Sequence, residues 1–146
     1  MKKVLIAVTI FALVMVVVTI YCVLFSTQNK RADFEKLKFE EISNIKLSTD
    51  SNDVLVDDAK NLEKILTILN HKMNTTSYES INDVPTKFKG KLIRIETNNN
   101  IGNDEHNNIF YAYKKGDIYY IEKPYFAIWT IESLDYDYFL DLLTNP

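Results

Sequence analysis

The side chains that could do chemistry are few and scattered. Two histidines, His71 and His106, and one cysteine, Cys22, are the soft donors of a 146-residue chain. Structural zinc takes four such donors at matched spacing, so no zinc centre is expected. Asp50, Asn52 and Asp53 stand together as calcium ligands would. Counted from Asp50, however, the fifth and sixth positions hold Val54 and Leu55, where a calcium loop needs an oxygen donor and a glycine. Asp104, Glu105 and His106 fall in the polar run 98–108, read as a long connection between strands. No Gly-x-Ser-x-Gly elbow occurs, and the one cysteine lies in an apolar N-terminal run, so nucleophilic hydrolysis lacks its parts. Gly90, Gly102 and Gly116 are too far apart to cradle a phosphate. Twenty carboxylates single out no catalytic pair. The expectation is a non-enzymatic protein without metal or cofactor.

What stands out is aromatic density. Phe110, Tyr111, Tyr113, Tyr119, Tyr120, Tyr125, Phe126 and Trp129 fall within one 20-residue stretch. Strand alternation sends neighbouring side chains to opposite faces, so Tyr119 and Tyr120 cannot share one core, nor can Phe110 and Tyr111. One set packs beneath helices and the other lies on the second sheet face. Tyrosine combines a large apolar area with a polar tip, which suits a recognition surface. Tyr120, Glu122, Tyr125 and Trp129 are the binding candidates. The competing role for such rings is cross-strand pairing that stabilises the sheet.

Charge narrows the partners. With Lys2 and Lys3 set aside, residues 26–146 carry 15 Lys and Arg against 20 Asp and Glu, a net of −5. Phosphate backbones need a basic surface, so nucleic acid is not expected. Lys87, Lys89 and Lys91 alternate and read as the solvated side of a strand. The abundance of Asn, Lys, Ile and Tyr against Gly, Ala, Arg and Pro follows A/T-rich codons and carries no functional message.

The elements that must position these residues begin with the N-terminus. Val4 to Phe25 is uncharged over 22 residues. As a helix it would span about 33 Å, the thickness of a hydrocarbon core. Residues 1–25 are therefore expected to be a membrane anchor or uncleaved signal, inserted in the bilayer through residues 4–25. The run exceeds a signal-peptide core, and no small-x-small cleavage site follows. A basic N-tail of two lysines starts it, and the C-terminal side is expected outside the cytoplasm. Residues 26–41 read as a polar stalk, and 42–146 as one extracytoplasmic domain.

Within that domain Ile42, Ile45 and Leu47 suggest a first strand, and Val54 and Val56 a second. Leu62, Ile65, Leu66, Leu69 and Met73 fall on one face of a helix that Asp57 or Asp58 can cap. Residues 91–97, 109–113 and 118–122 read as strands, the last two joined as a hairpin through Gly116. Residues 125–131 follow as an edge strand behind Pro124. Ser133 can cap a final helix carrying Tyr136, Phe139, Leu140 and Leu143. The fold class expected is α+β: an N-terminal transmembrane helix, then a small antiparallel sheet covered on one face by two helices.

The run 118–129 (IYYIEKPYFAIW), with SINDVP at 80–85, resembles an uncharacterised domain family of low-GC Gram-positive bacteria. The likeness covers roughly Phe39 to Leu143. Members look like short proteins with an N-terminal membrane segment and one small extracytoplasmic α+β domain. Their Tyr-x-Glu-x-Pro-Tyr element, matched by Tyr120, Glu122, Pro124 and Tyr125, is often followed by Gly-Ile. Here Ala127 stands at the glycine, so a tight turn there is altered. The resemblance implies location and fold but no activity.

The function expected is a membrane-anchored extracytoplasmic binding or accessory domain whose partner is an envelope polypeptide. Two other readings stay open: an immunity or self-protection protein that sequesters a toxin or bacteriocin at the membrane, and a secreted domain released by signal cleavage.

Overall fold

The computed structural model describes residues 14–15, 36–86, 88–99 and 107–145. The chain divides into two units, Met1–Asp33 and Phe34–Pro146. In the first, only Val14 and Met15 are described, and both are helical. The rest of the expected membrane anchor lies outside the described residues, among which no helix is long and apolar enough to cross a membrane. The run at 100–106, with Asp104, Glu105 and His106, and Lys87 lie outside them as well.

The second unit is built on a seven-stranded antiparallel sheet: β1 (Ile42–Ser48), β2 (Asp53–Val56), β3 (Asn74–Thr75), β4 (Lys89–Asn99), β5 (Asn108–Lys115), β6 (Ile118–Lys123) and β7 (Ala127–Ile131). Their order across the sheet is β2-β1-β4-β5-β6-β7-β3. Two helices accompany it, α1 (Ala59–Thr67) and α2 (Ser133–Thr144). The α+β class with a small antiparallel sheet is as expected. Six of the strands coincide with apolar runs in the sequence. The seventh, β3, is a two-residue polar strand that pairs with β7 (Asn74↔Thr130, Thr75↔Trp129). The expected edge strand therefore has a short neighbour on its outer side.

Alternation sorts the sheet into two faces. Ile45 and Leu47 oppose Thr97 and Ile95, Ile95 opposes Phe110, Ala112 opposes Ile121, and Ile121 opposes Trp129. All of these are buried, together with Leu62, Ile65, Leu66, Ile68 and Leu69 from the α1 region and Tyr136, Phe139 and Leu143 from α2. This is the main core. Each large side chain taken out of water there contributes about 1.5–3 kcal/mol.

The helices follow local signals, with two differences from expectation. Asp58, one of the two aspartates expected to do so, caps α1, accepting from the Asn61 backbone N–H at 3.0 Å. At α2 the N-cap is Glu132 without a side-chain bond, and Ser133 is already the first helical residue. Beyond Thr67, α1 widens into a π-helical turn over Ile68–Lys72 that buries Ile68 and Leu69. Met73 is extended and leaves the helix. At the other end of the unit's chain, Leu37 exchanges two backbone hydrogen bonds with the Asn70 side chain, at 2.9 and 2.7 Å. The last residues of the predicted stalk are thereby fastened to the α1 end.

Candidate functional site

The opposite sheet face carries the second aromatic set. Tyr111, Tyr113 and Tyr120 are buried there, packed with Phe88, Leu92, Ile109 and Ile128. Among the described residues, no helix covers them. Over Tyr113 and Tyr120 lies the connection from β3 to β4, described at residues 76–86 and 88, which crosses from the sheet edge to its middle. This strap is tied down strand by strand. The Thr76 backbone N–H donates to the Ile128 carbonyl of β7 at 3.3 Å, and the Thr76 hydroxyl donates to the same oxygen. The Tyr78 ring meets Tyr120 of β6 edge-on, with centroids 6.4 Å apart. The Phe88 ring tilts against Tyr113 of β5 at 6.3 Å.

At the centre of the strap lies a buried polar lock. Glu122 is 4% exposed and Ser80 is 6% exposed. The Ser80 hydroxyl donates to Glu122 Oε1 at 2.6 Å, and the Tyr113 hydroxyl donates to Oε2 at 2.9 Å. Each carboxylate oxygen thus has a donor, which a buried acid requires. Burial, and next the carboxylate it bonds, push the Tyr113 hydroxyl far above the usual tyrosine pKa. Ser80 also accepts from the Tyr125 backbone N–H at 3.1 Å.

That last bond holds a strained turn. Lys123, Pro124, Tyr125 and Phe126 close with a Phe126 N–H to Lys123 carbonyl bond of 3.1 Å. Tyr125 has φ of 58°, the only positive value among described non-glycine residues. Proline second and a positive φ third is the pattern of a type II turn, whose third position favours glycine. Tyr125 and Phe126 are therefore turn residues and not part of β7. Ala127, where the resemblance puts glycine, is a buried strand residue paired with Lys123.

Between strap and sheet runs an open cleft of about 390 Å³, lined among others by Tyr78, Glu79, Tyr113, Lys115, Tyr120 and Glu122. Tyr78 and Ile81 of the strap line it and are exposed, and Val84 on the strap and Tyr125 on the turn are exposed as well. The Asp83 carboxylate beside the Tyr125 hydroxyl raises that hydroxyl's pKa.

Of the four residues singled out in the sequence, three gather here. Tyr120 and Glu122 line the cleft, and Tyr125, 65% exposed, is joined to Glu122 through Ser80. Trp129 does not join them. Tyr120 opposes Thr130 while Trp129 opposes Ile121, so the indole projects from the helix side, where it is 3% exposed and packs 6.0 Å from Phe126. Sequence reasoning passed over Ser80, Tyr113 and Tyr78 as site residues. Ser80 stood within the SINDVP segment, and its pairing with Glu122 joins the two segments on which the family resemblance rests. Among the described residues, no group of three or more His, Cys, Asp or Glu could hold a metal ion.

The fold and site define a small single-sheet α+β domain with helices on one face and a strapped, tyrosine-lined cleft on the other. The chain matches the model of the DUF5301 family, described as Domain of unknown function (DUF5300), over residues 29–130, and belongs to that family. The match contains the strap, the cleft and the turn at Tyr125. No curated protein and no solved structure matches the chain.

Proposed function

We propose that this chain is a non-enzymatic binding or accessory domain, tethered to the cell membrane through residues 4–25 with its C-terminal domain outside the cytoplasm. Its partner is an envelope polypeptide. The observation that carries the binding reading is the open cleft of about 390 Å³ between strap and sheet, lined by the exposed Tyr78 and Ile81, with exposed Val84 on the same strap and exposed Tyr125 on the turn bonded to it. Exposed apolar side chains grouped around a concavity are what a protein contact uses. The Ser80 hydroxyl is engaged by Glu122 and by the Tyr125 N–H, which gives it a fastening role. The tether reading rests on the uncharged run from Val4 to Phe25.

The test is photo-crosslinking in intact cells. A benzophenone side chain replaces Tyr78 or Tyr125, with Leu134, 75% exposed on α2, as the control position. The expected result is one discrete polypeptide adduct from both cleft positions and none from Leu134. Equal labelling at Leu134, or no adduct at either cleft position, would overturn the reading.

A further inference from the structure

The lining of the cleft says which chemical group it accepts. Two of its walls are the Tyr113 and Tyr120 rings, stacked with centroids 5.6 Å apart, and the Tyr78 ring closes on Tyr120 from the strap. Two carboxylates, Glu79 and Glu122, line it against one lysine, Lys115, and a third, Asp83, stands on the strap beside Tyr125. Aromatic walls with an excess of carboxylate attract an ammonium group: ring faces are electronegative, and a charge in a partly desolvated cleft acts more strongly than in water. An anionic ligand would meet Glu79 and Glu122 as it entered. The chain already shows such a contact at the mouth, where Lys115 Nζ lies 5.8 Å from the centroid of the Tyr78 ring.

From these contacts we infer that the cleft receives the side-chain ammonium of a lysine on the polypeptide partner. The inference rests on the binding reading above and specifies its chemistry. The Tyr78, Tyr113 and Tyr120 rings take the alkyl stem and face the charge, and Glu122 supplies the opposing charge from within. Lys115 is then a like-charged competitor at the entrance.

The experiment uses the full-length chain in maltoside micelles. The probes are Nα-acetyl-lysine methylamide and Nα-acetyl-norleucine methylamide, which keeps the alkyl chain and lacks the ammonium. Tyrosine ring NMR shifts report binding. The lysine probe is expected to bind at least about tenfold tighter than the norleucine probe, a difference of about 1.4 kcal/mol. Glu122→Gln should weaken the lysine probe by a similar factor, and Lys115→Met should tighten it. Lys115 is exposed in the β5–β6 hairpin, so its variant tests the sign of the charge effect without touching the core. Equal affinity for both probes, or weakening by Lys115→Met, would overturn the inference. Should the lysine probe fail while the Tyr78 and Tyr125 crosslinks persist, the ammonium assignment falls and the binding reading stands. If the crosslinks fail too, both fall.

Discussion

At the scale of single residues, Glu122 organises the site. Its two oxygens are held by hydroxyls that come from opposite sides of the cleft, Ser80 on the strap and Tyr113 on β5. Hydrogen bonds to a charged group are worth about 1.5–3 kcal/mol, and a buried acceptor left without its donor costs a similar amount. Ser80→Ala is therefore expected to lower the unfolding free energy by about 1.5–3 kcal/mol in urea titration. It also frees the Tyr125 N–H, so the Tyr125 environment should change with it. A loss below about 0.5 kcal/mol would mean that the lock is not what holds the strap. Nothing local in the sequence announces this contact, because Ser80 and Glu122 are 42 residues apart. The sequence offered Glu122 through a motif and Tyr113 through an aromatic cluster, with no rule to pair them.

At the scale of elements, what repeats is legible and what closes the structure is not. The β-rich runs at 91–97, 109–113 and 118–122 identify three strands of the meander. The spacing of Leu62, Ile65, Leu66 and Leu69 identifies α1. β3 escapes because two polar residues have no period, and Met73 fails to follow the helical pattern because the π-helical turn changes the geometry at Ile68–Lys72. The same limit applies to the β6–β7 turn. An apolar run through Tyr125 and Phe126 reads as strand, whereas Pro124 with its neighbours makes a turn whose left-handed position is occupied by tyrosine. Non-glycine residues persist there when the surroundings hold them, and such positions collect at functional sites. Tyr125→Gly is expected to raise the thermal midpoint by a few degrees while reducing the crosslinking yield from Tyr78. A lower midpoint would show that the Tyr125 side chain, through Asp83, outweighs the relief of backbone strain.

For the folded domain as a whole, the tyrosines set the response to alkali. Burial raises the hydroxyls of Tyr113, Tyr136 and Tyr138, Asp83 raises that of Tyr125, and Asp135 raises the ammonium of Lys72. A group whose folded pKa lies above its unfolded one adds stability that is fully present below the unfolded pKa. That stability is lost as pH rises through the folded pKa. Unfolded tyrosine titrates near about pH 10, so urea midpoints should hold steady from neutral pH to about 9 and fall beyond it. A flat profile to pH 11 would contradict the burial of these hydroxyls.

The strap has a further consequence for the order in which the domain assembles. Its fastenings, Thr76 to Ile128, Ser80 to Glu122 and Ser80 to Tyr125, join positions 42 to 52 residues apart. The strands they grip follow one another through short turns, and the cost of closing a loop grows with its length. The meander is therefore expected to form ahead of the strap, which then settles on it. A ligand that settled beneath it only in the native state would act as a latch and, by mass action, raise the stability of the whole fold.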